Sequence, residues 1–215
     1  NFEDALIEQF KNENIDVLIG TQMVVKGHHF PNVTLVGVIA ADSSLNIEDY
    51  RAGERTFQIL TQVAGRAGRE NLPGEVIVQT YNKDNFAIEN AKKQDYKKFY
   101  DDEIKIRQQL KYPPFCDIII ANISSKDEYE TKKVANYLYT KLKKEFKNYE
   151  NQILIYNPVE SPVNKIKNRY RWRILIKCRF NNNMMNSINN ILADYYKSKF
   201  KNTRVVFDVN PINMM

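Results

Sequence analysis

Along the first half of the chain, short β-branched apolar runs alternate with stretches whose hydrophobic positions recur at helical spacing. Ile15 to Ile19, Val33 to Ala40 and Glu75 to Thr80 are compact runs of the kind buried by a parallel sheet covered on both faces, and they predict three strands. Pro73-Gly74 opens the third. Phe57, Leu60, Val63 and Ala64 predict a helix from about Ile47 to Gly65, and a polar helix comes next from roughly Asn85 to Leu110. Strands and helices joined in this alternation by short links read as an α/β unit.

The second half has a different order. Cys116 to Ser124 predicts a strand, and Asp127 to about Tyr149 a helix with Val134, Leu138, Leu142 and Phe146 at spacing four. Ile153 to Val159 and Arg169 to Cys178 predict two more strands, Met184 to Lys197 a helix, and Arg204 to Val209 a last strand. That order, β-α-β-β-α-β, is the ferredoxin-like split arrangement, an α+β fold. The two halves meet at Lys-Tyr-Pro-Pro-Phe, Lys111 to Phe115, where the prolines end the helical text before them. The expected domains are therefore 1–111 and 112–215.

Charge separates the halves further. The net charge of +6 combines a balance of −3 over residues 1–111 with +9 over residues 112–215. Much of the excess lies in Lys165, Lys167, Arg169, Arg171 and Arg173, at successive odd positions, followed by Lys177 and Arg179. Ile166, Tyr170, Trp172, Ile174 and Ile176 alternate with them, and no Asp or Glu intervenes from Ser161 to Ala193. On one strand the odd positions form a cationic row and the even ones an apolar face. Such a row is either a track for phosphates or an edge strand guarded by charge against aggregation. Tyr170 and Trp172 stack on bases in the first case and join the core in the second.

The rest of the composition mainly excludes. No apolar run approaches the roughly 18 residues of a membrane helix, and no signal peptide is visible. Cys116 and Cys178 lack a C-x-x-C partner and read as free, buried thiols of a cytosolic, cytoplasmic protein. His28 and His29, the only histidines, are adjacent and have no cysteine cluster near them, so no metal site is expected. The chain opens at Asn1 and its first methionine is Met23, which suggests a piece of a longer protein.

Candidate chemistry concentrates in QVAGRAGR, Gln62 to Arg69. If the run is helical, Gln62, Arg66 and Arg69 share a face, while Gly65 and Gly68 leave room for a ligand to approach the backbone. Paired guanidinium groups suit the charge that develops on a transferring γ-phosphoryl group. The alternative is a cationic helix end closed by glycine. Thr21, Gln22, Lys26 and Gly27 come after the first predicted strand, at the carboxyl end where α/β proteins bind ligands. Asp42, Arg51, Glu54 and Arg55 form either a charge network below the arginines or ordinary helix-surface pairs. No G-x-x-x-x-G-K-[ST] phosphate loop occurs.

QVAGRAGR resembles the Q-x-x-G-R-x-x-R motif of nucleic-acid helicases with two RecA-like lobes. GTQMVVKGHHFP, DYRAGERTFQ and TQVAGRAGR together resemble, more specifically, the second helicase lobe of the bacterial primosomal replication-restart family. The similarity continues through KYPPF and RYRWRILIK to DVNPI. The resemblance implies a partial RecA-like lobe followed by a basic C-terminal domain, from an ATP- and Mg²⁺-dependent 3′→5′ DNA helicase that acts at stalled or abandoned forks and starts primosome assembly. It implies arginine fingers at Arg66 and Arg69, nucleotide contacts at Gln62, Gly65, Lys26 and Gly27, and nucleic-acid contacts at Thr21 and Gln22. Lys165, Lys167, Arg169, Arg171 and Arg173 are expected to contact DNA through the basic domain. The implied partners are forked or single-stranded DNA, the single-strand-binding protein with its acidic tail, and other primosome proteins, with no membrane. The family's phosphate loop and zinc cysteines lie upstream of this text, so this stretch alone is expected to hold no zinc and to hydrolyse no ATP. A non-enzymatic nucleic-acid-binding or docking module is the alternative reading.

Overall fold

The computed structural model describes residues 7–10, 13, 15–21, 33–65, 67, 73–198, 200 and 202–214. The chain divides into two compact units, residues 1–47 with 51–103, and residues 48–50 with 104–215.

In the first unit β1 (Leu35–Val38) pairs in parallel with β2 (Glu75–Val78). The connection contains α1 (Asp42–Leu45) and α2 (Ala52–Ala64), and α3 (Phe86–Lys92) comes after β2. The amphipathic face of α2 buries Thr56, Phe57, Leu60 and Val63. Phe57 and Leu60 pack with Ala87, Ile88, Ala91 and Phe99, and the Phe57 and Phe99 rings stack with centroids 4.3 Å apart. Asn85 caps α3 by accepting the Ala87 N–H at 2.9 Å, so one orphan amide of the first turn is satisfied.

Three expectations for this unit require correction. Residues 15–21 form no strand, and Val17 and Ile19 are exposed, because no described strand pairs with them. The sheet is covered on one face only: Val38 and Val78 pack on the core, whereas Leu35 and Ile77 stay exposed. The predicted polar helix is two helices, α3 and α4 (Tyr96–Gln109). Gln94 breaks them with φ 52°, and the Asp95 carboxylate accepts the Lys98 N–H at 2.9 Å to start the second.

The second unit is the β-α-β-β-α-β arrangement. β3 (Asp117–Ser125) leads to α5 (Glu128–Glu145) and a 3-10 turn at Lys147–Tyr149. β4 (Leu154–Ile155), β5 (Val159–Ile166) and β6 (Arg169–Cys178) come next, then α6 (Asn182–Tyr196) and β7 (Arg204–Val209). The antiparallel order is β4-β6-β3-β7, with β5 beside β4 on the same edge of β6. Asp127 and Asn181 cap the two helices by accepting the N–H groups of Glu130 and Met184. Ile119, Ala121, Ile123, Ile174 and Ile176 of the sheet pack on Val134, Leu138, Leu142, Ile188 and Tyr195 of the helices, forming the main core.

The strand expected at Ile153 to Val159 divides into β4 and a longer β5 that runs on to Ile166. Lys167 and Asn168 then turn the chain back with φ of 47° and 61°. Two successive positive values are the signature of a tight two-residue hairpin turn whose twist matches its strands.

Candidate functional site

The hairpin changes what the cationic row is. Residue parity does not survive the two-residue turn, so Lys165 pairs across it with Tyr170 and Ile166 with Arg169. Lys165 therefore shares the face of Tyr170 and Trp172, with its ammonium 4.4 Å from the Tyr170 ring centroid. Lys167 sits in the turn itself. Arg169, Arg171 and Arg173 alone lie together on one face of β6. The single row of five is corrected to these three, with Lys165 on the opposite face.

That face of the sheet, away from α5 and α6, has two regions. At one end Ile118, Ile120 and Cys116 form a second apolar cluster with Met214, against which Tyr50, Tyr112 and Leu175 pack. Lys177 lies in this region, 5 % exposed, with its ammonium 3.5 Å from the Tyr112 ring centroid and donating to the Leu110 carbonyl at 2.8 Å. Burial pushes its pKa down. Arg173 joins the same region: its side chain is 12 % exposed, pairs with Glu48 and donates to the Met214 carbonyl. As a DNA contact Arg173 is thus corrected to a side chain engaged by internal partners, including a carboxylate that offsets its charge.

The other end is open and remains cationic. Ser124 of β3 pairs with Arg171 of β6 on one side and with Arg204 of β7 on the other. Directly paired residues project to the same face, so Arg171, Ser124 and Arg204 form a row across three adjacent strands. Arg169 flanks it, donating to the Ser124 carbonyl at 2.7 Å and the Asn202 carbonyl at 3.4 Å. Arg171 donates to the Val163 carbonyl at 3.4 Å. These acceptors are neutral, so they orient the guanidinium groups without cancelling their charge. Three fixed cations on an open face suit successive phosphates of a nucleic-acid backbone. Sequence reasoning does not distinguish Arg204, because its place in the row depends on the β3–β7 register. Its only sequence signal is a position opening a predicted strand.

A cavity of about 480 Å³ lies elsewhere in this unit, lined by residues that include Phe146, Ile153, Met184, Arg179 and Asn181. Both cysteines are free and buried. Among the described residues no cluster of His, Cys, Asp and Glu has the makings of a metal site, and no helix is long and apolar enough to cross a membrane.

Two family models match separate stretches: the primosomal protein N C-terminal domain over residues 108–212, and the helicase conserved C-terminal domain over residues 3–71. The replication restart protein PriA of Bacillus subtilis is 38% identical over 99% of this chain and 26% of its own length. That of Chlamydia trachomatis is 38% identical over 97% of this chain and 27% of its own. The chain belongs to the PriA family. A further PriA, from Borreliella burgdorferi, is 37% identical over 97% of this chain and 31% of its own length. The chain thus spans between a quarter and a third of the length of these relatives.

In this PriA-family chain the QVAGRAGR run is not one helix. α2 ends at Ala64, and Gly65 caps it with φ −73° and ψ 5°, its N–H bonded to the Thr61 carbonyl at 3.2 Å. The helical face expected to align Gln62, Arg66 and Arg69 is therefore corrected: the helix stops before the first arginine. Gln62 and Gly65 are exposed at its C-terminal end, and Thr21 is exposed after the segment at 15–20. Arg66, Arg69, Gln22, Lys26 and Gly27 lie outside the described residues, as do His28 and His29. Asp42 accepts from Thr80 Oγ1 and from the Tyr81 N–H, both at 2.8 Å. The Tyr81 and Thr80 bonds hold its carboxyl below the usual range and fasten the end of β1 to the end of β2.

Proposed function

We propose that this chain supplies two parts of an ATP- and Mg²⁺-dependent 3′→5′ DNA helicase that restarts replication at abandoned forks in the bacterial cytoplasm. The first unit contributes the arginine motif: Arg66 and Arg69 offer guanidinium charge to a γ-phosphoryl group, with Gln62, Gly65, Lys26 and Gly27 beside the nucleotide. Thr21 and Gln22 contact the DNA backbone. The second unit contributes a DNA-binding sheet face of Arg169, Arg171 and Arg204, with Lys167 at the hairpin tip and Lys165 on the hairpin's other face. Nucleotide and metal binding require residues that this stretch does not contain, since it has no phosphate loop.

The observation that supports the reading best is the row Arg171, Ser124, Arg204, set by two strand registers. Binding of this chain to single-stranded DNA, measured by fluorescence anisotropy between 50 and 200 mM salt (conditions about where phosphate contacts show their dependence), tests it. The triple change Arg169→Ala, Arg171→Ala and Arg204→Ala should flatten the log–log salt slope by about 0.7 per lost phosphate contact. An unchanged affinity and slope would leave the row as a charged, anti-aggregation surface.

A second reading, docking of the acidic tail of a single-strand-binding protein at primosome assembly, is favoured by the cavity that sets Arg179 beside Phe146, Ile153 and Met184. An acidic peptide ending in an apolar residue suits that lining, and Arg179→Ala should weaken its binding without changing the DNA salt slope.

A further inference from the structure

Residues 48–50 stand in sequence between α1 and α2, yet they belong to the second unit. Three successive side chains are held by three kinds of chemistry. Glu48 pairs with Arg173. Asp49, 7 % exposed, accepts the Met214 N–H at 3.4 Å. Tyr50 stacks on Tyr112, with centroids 5.3 Å apart and planes 14° from parallel. The Arg107 guanidinium lies 5.0 Å from the Tyr50 centroid and the Lys177 ammonium 3.5 Å from that of Tyr112, so each stacked ring also carries a cation. An ion pair, a buried amide–carboxylate bond and an aromatic stack constrain position, register and plane together.

The grip on these three residues matters because of the helix they lead into. α2 begins at Ala52, two residues after Tyr50, and runs without a break into the Gln62–Arg69 motif, ending at Ala64. Thirteen helical residues make a rod about 20 Å long. β6 carries Arg169 and Arg171 of the open cationic row and, on the same face, Arg173 and Lys177 of the clamp. One strand thus joins the proposed phosphate contacts to the grip on the segment that leads into α2.

We propose that the clamp on Glu48–Tyr50 positions the Gln62–Arg69 motif, making Arg173 and Tyr112 positioning residues for ATP hydrolysis. This rests on the reading of the chain as part of an ATP-driven DNA motor. The test uses the full-length protein with Glu48→Arg, Arg173→Glu, the two combined, Tyr112→Phe and Tyr112→Leu. It reads kcat and KM for ATP under saturating DNA, the DNA concentration for half-maximal stimulation, and Tm. Each charge reversal should lower kcat by about tenfold, within the range that small misplacements of a reacting group produce, with KM within about twofold. The combined reversal should recover much of the loss, as expected for side chains coupled by direct contact. Tyr112→Phe, which keeps the stacked ring, should retain kcat, and Tyr112→Leu should lose it at a Tm near that of Tyr112→Phe. Wild-type kcat in both single reversals, or in Tyr112→Leu, overturns the inference alone. A wild-type protein without DNA-stimulated hydrolysis overturns the functional reading and this inference with it.

Discussion

Arg173 and Glu48 form an asymmetric ion pair: the arginine side chain is 12 % exposed and the glutamate side chain 65 %. The pair therefore contributes modestly by itself, as ion pairs with one solvated partner do. The greater consequence of losing Arg173 is the Met214 carbonyl, which would lose the buried guanidinium that donates to it.

Arg173→Ala is accordingly expected to lower the stability of the isolated chain by about 1–3 kcal/mol, the range for leaving a buried polar group without its partner. It should leave the salt slope of DNA binding unchanged. Urea unfolding paired with anisotropy titration checks this, and a slope reduced as much as in Arg171→Ala would return Arg173 to the DNA-binding row.

Trp172 lies on the face of β6 opposite the arginines, half-buried against the helix-covered core, with the Lys132 ammonium 5.6 Å from its ring centroid. Trp172→Ala should destabilise the fold by about 3 kcal/mol, the lower end for removal of a large aromatic from a core. Retained stability together with weakened DNA binding would instead make the ring a stacking platform.

The buried thiol of Cys178 permits a pH test. Burial first, then the nearby Asp117 and Cys116, push its pKa from 9.0 up to about 12. A folded value above the unfolded one means that the contribution is complete below pH 9 and is lost as pH rises from 9 toward 12. The stability difference between wild type and Cys178→Ala should therefore be constant from about pH 7 to 8.5 and shrink above 9. Cys178 should also resist alkylation at about pH 8 until the chain unfolds, because the thiolate is the reactive form. Prompt labelling of the folded chain would contradict the burial.

The β-α-β-β-α-β order is legible because each element of the second unit carries its own periodicity, from Val134, Leu138 and Leu142 on α5 to the alternation along β6. Strand alternation does not reveal a reversal within it. The turn at Lys167-Asn168 continues the polar–apolar text while changing which side each residue faces, so parity alone groups Lys165 with arginines on the other face. Arg204 escapes notice for a related reason, since cross-strand register is a property of pairing and leaves no mark on either strand alone. In the first unit Gly65 marks the end of α2, whereas the expected arginine alignment needs the helix to continue past it. The strand expected at Ile15 to Ile19 has the right residues, yet a strand forms only with a neighbour to receive its hydrogen bonds.

The role of this chain in bringing catalytic arginines to an ATP-driven DNA motor is open to direct measurement. Single-turnover ATP hydrolysis by the full-length protein, wild type against Arg66→Ala, with nucleotide and DNA affinities measured in parallel, tests it most directly. The expected result is DNA-stimulated hydrolysis in the wild type and a fall in rate on the order of a thousandfold in the variant, the scale of a lost arginine finger, at nearly unchanged affinities. A variant that hydrolyses ATP at the wild-type rate, losing only stability, would contradict it.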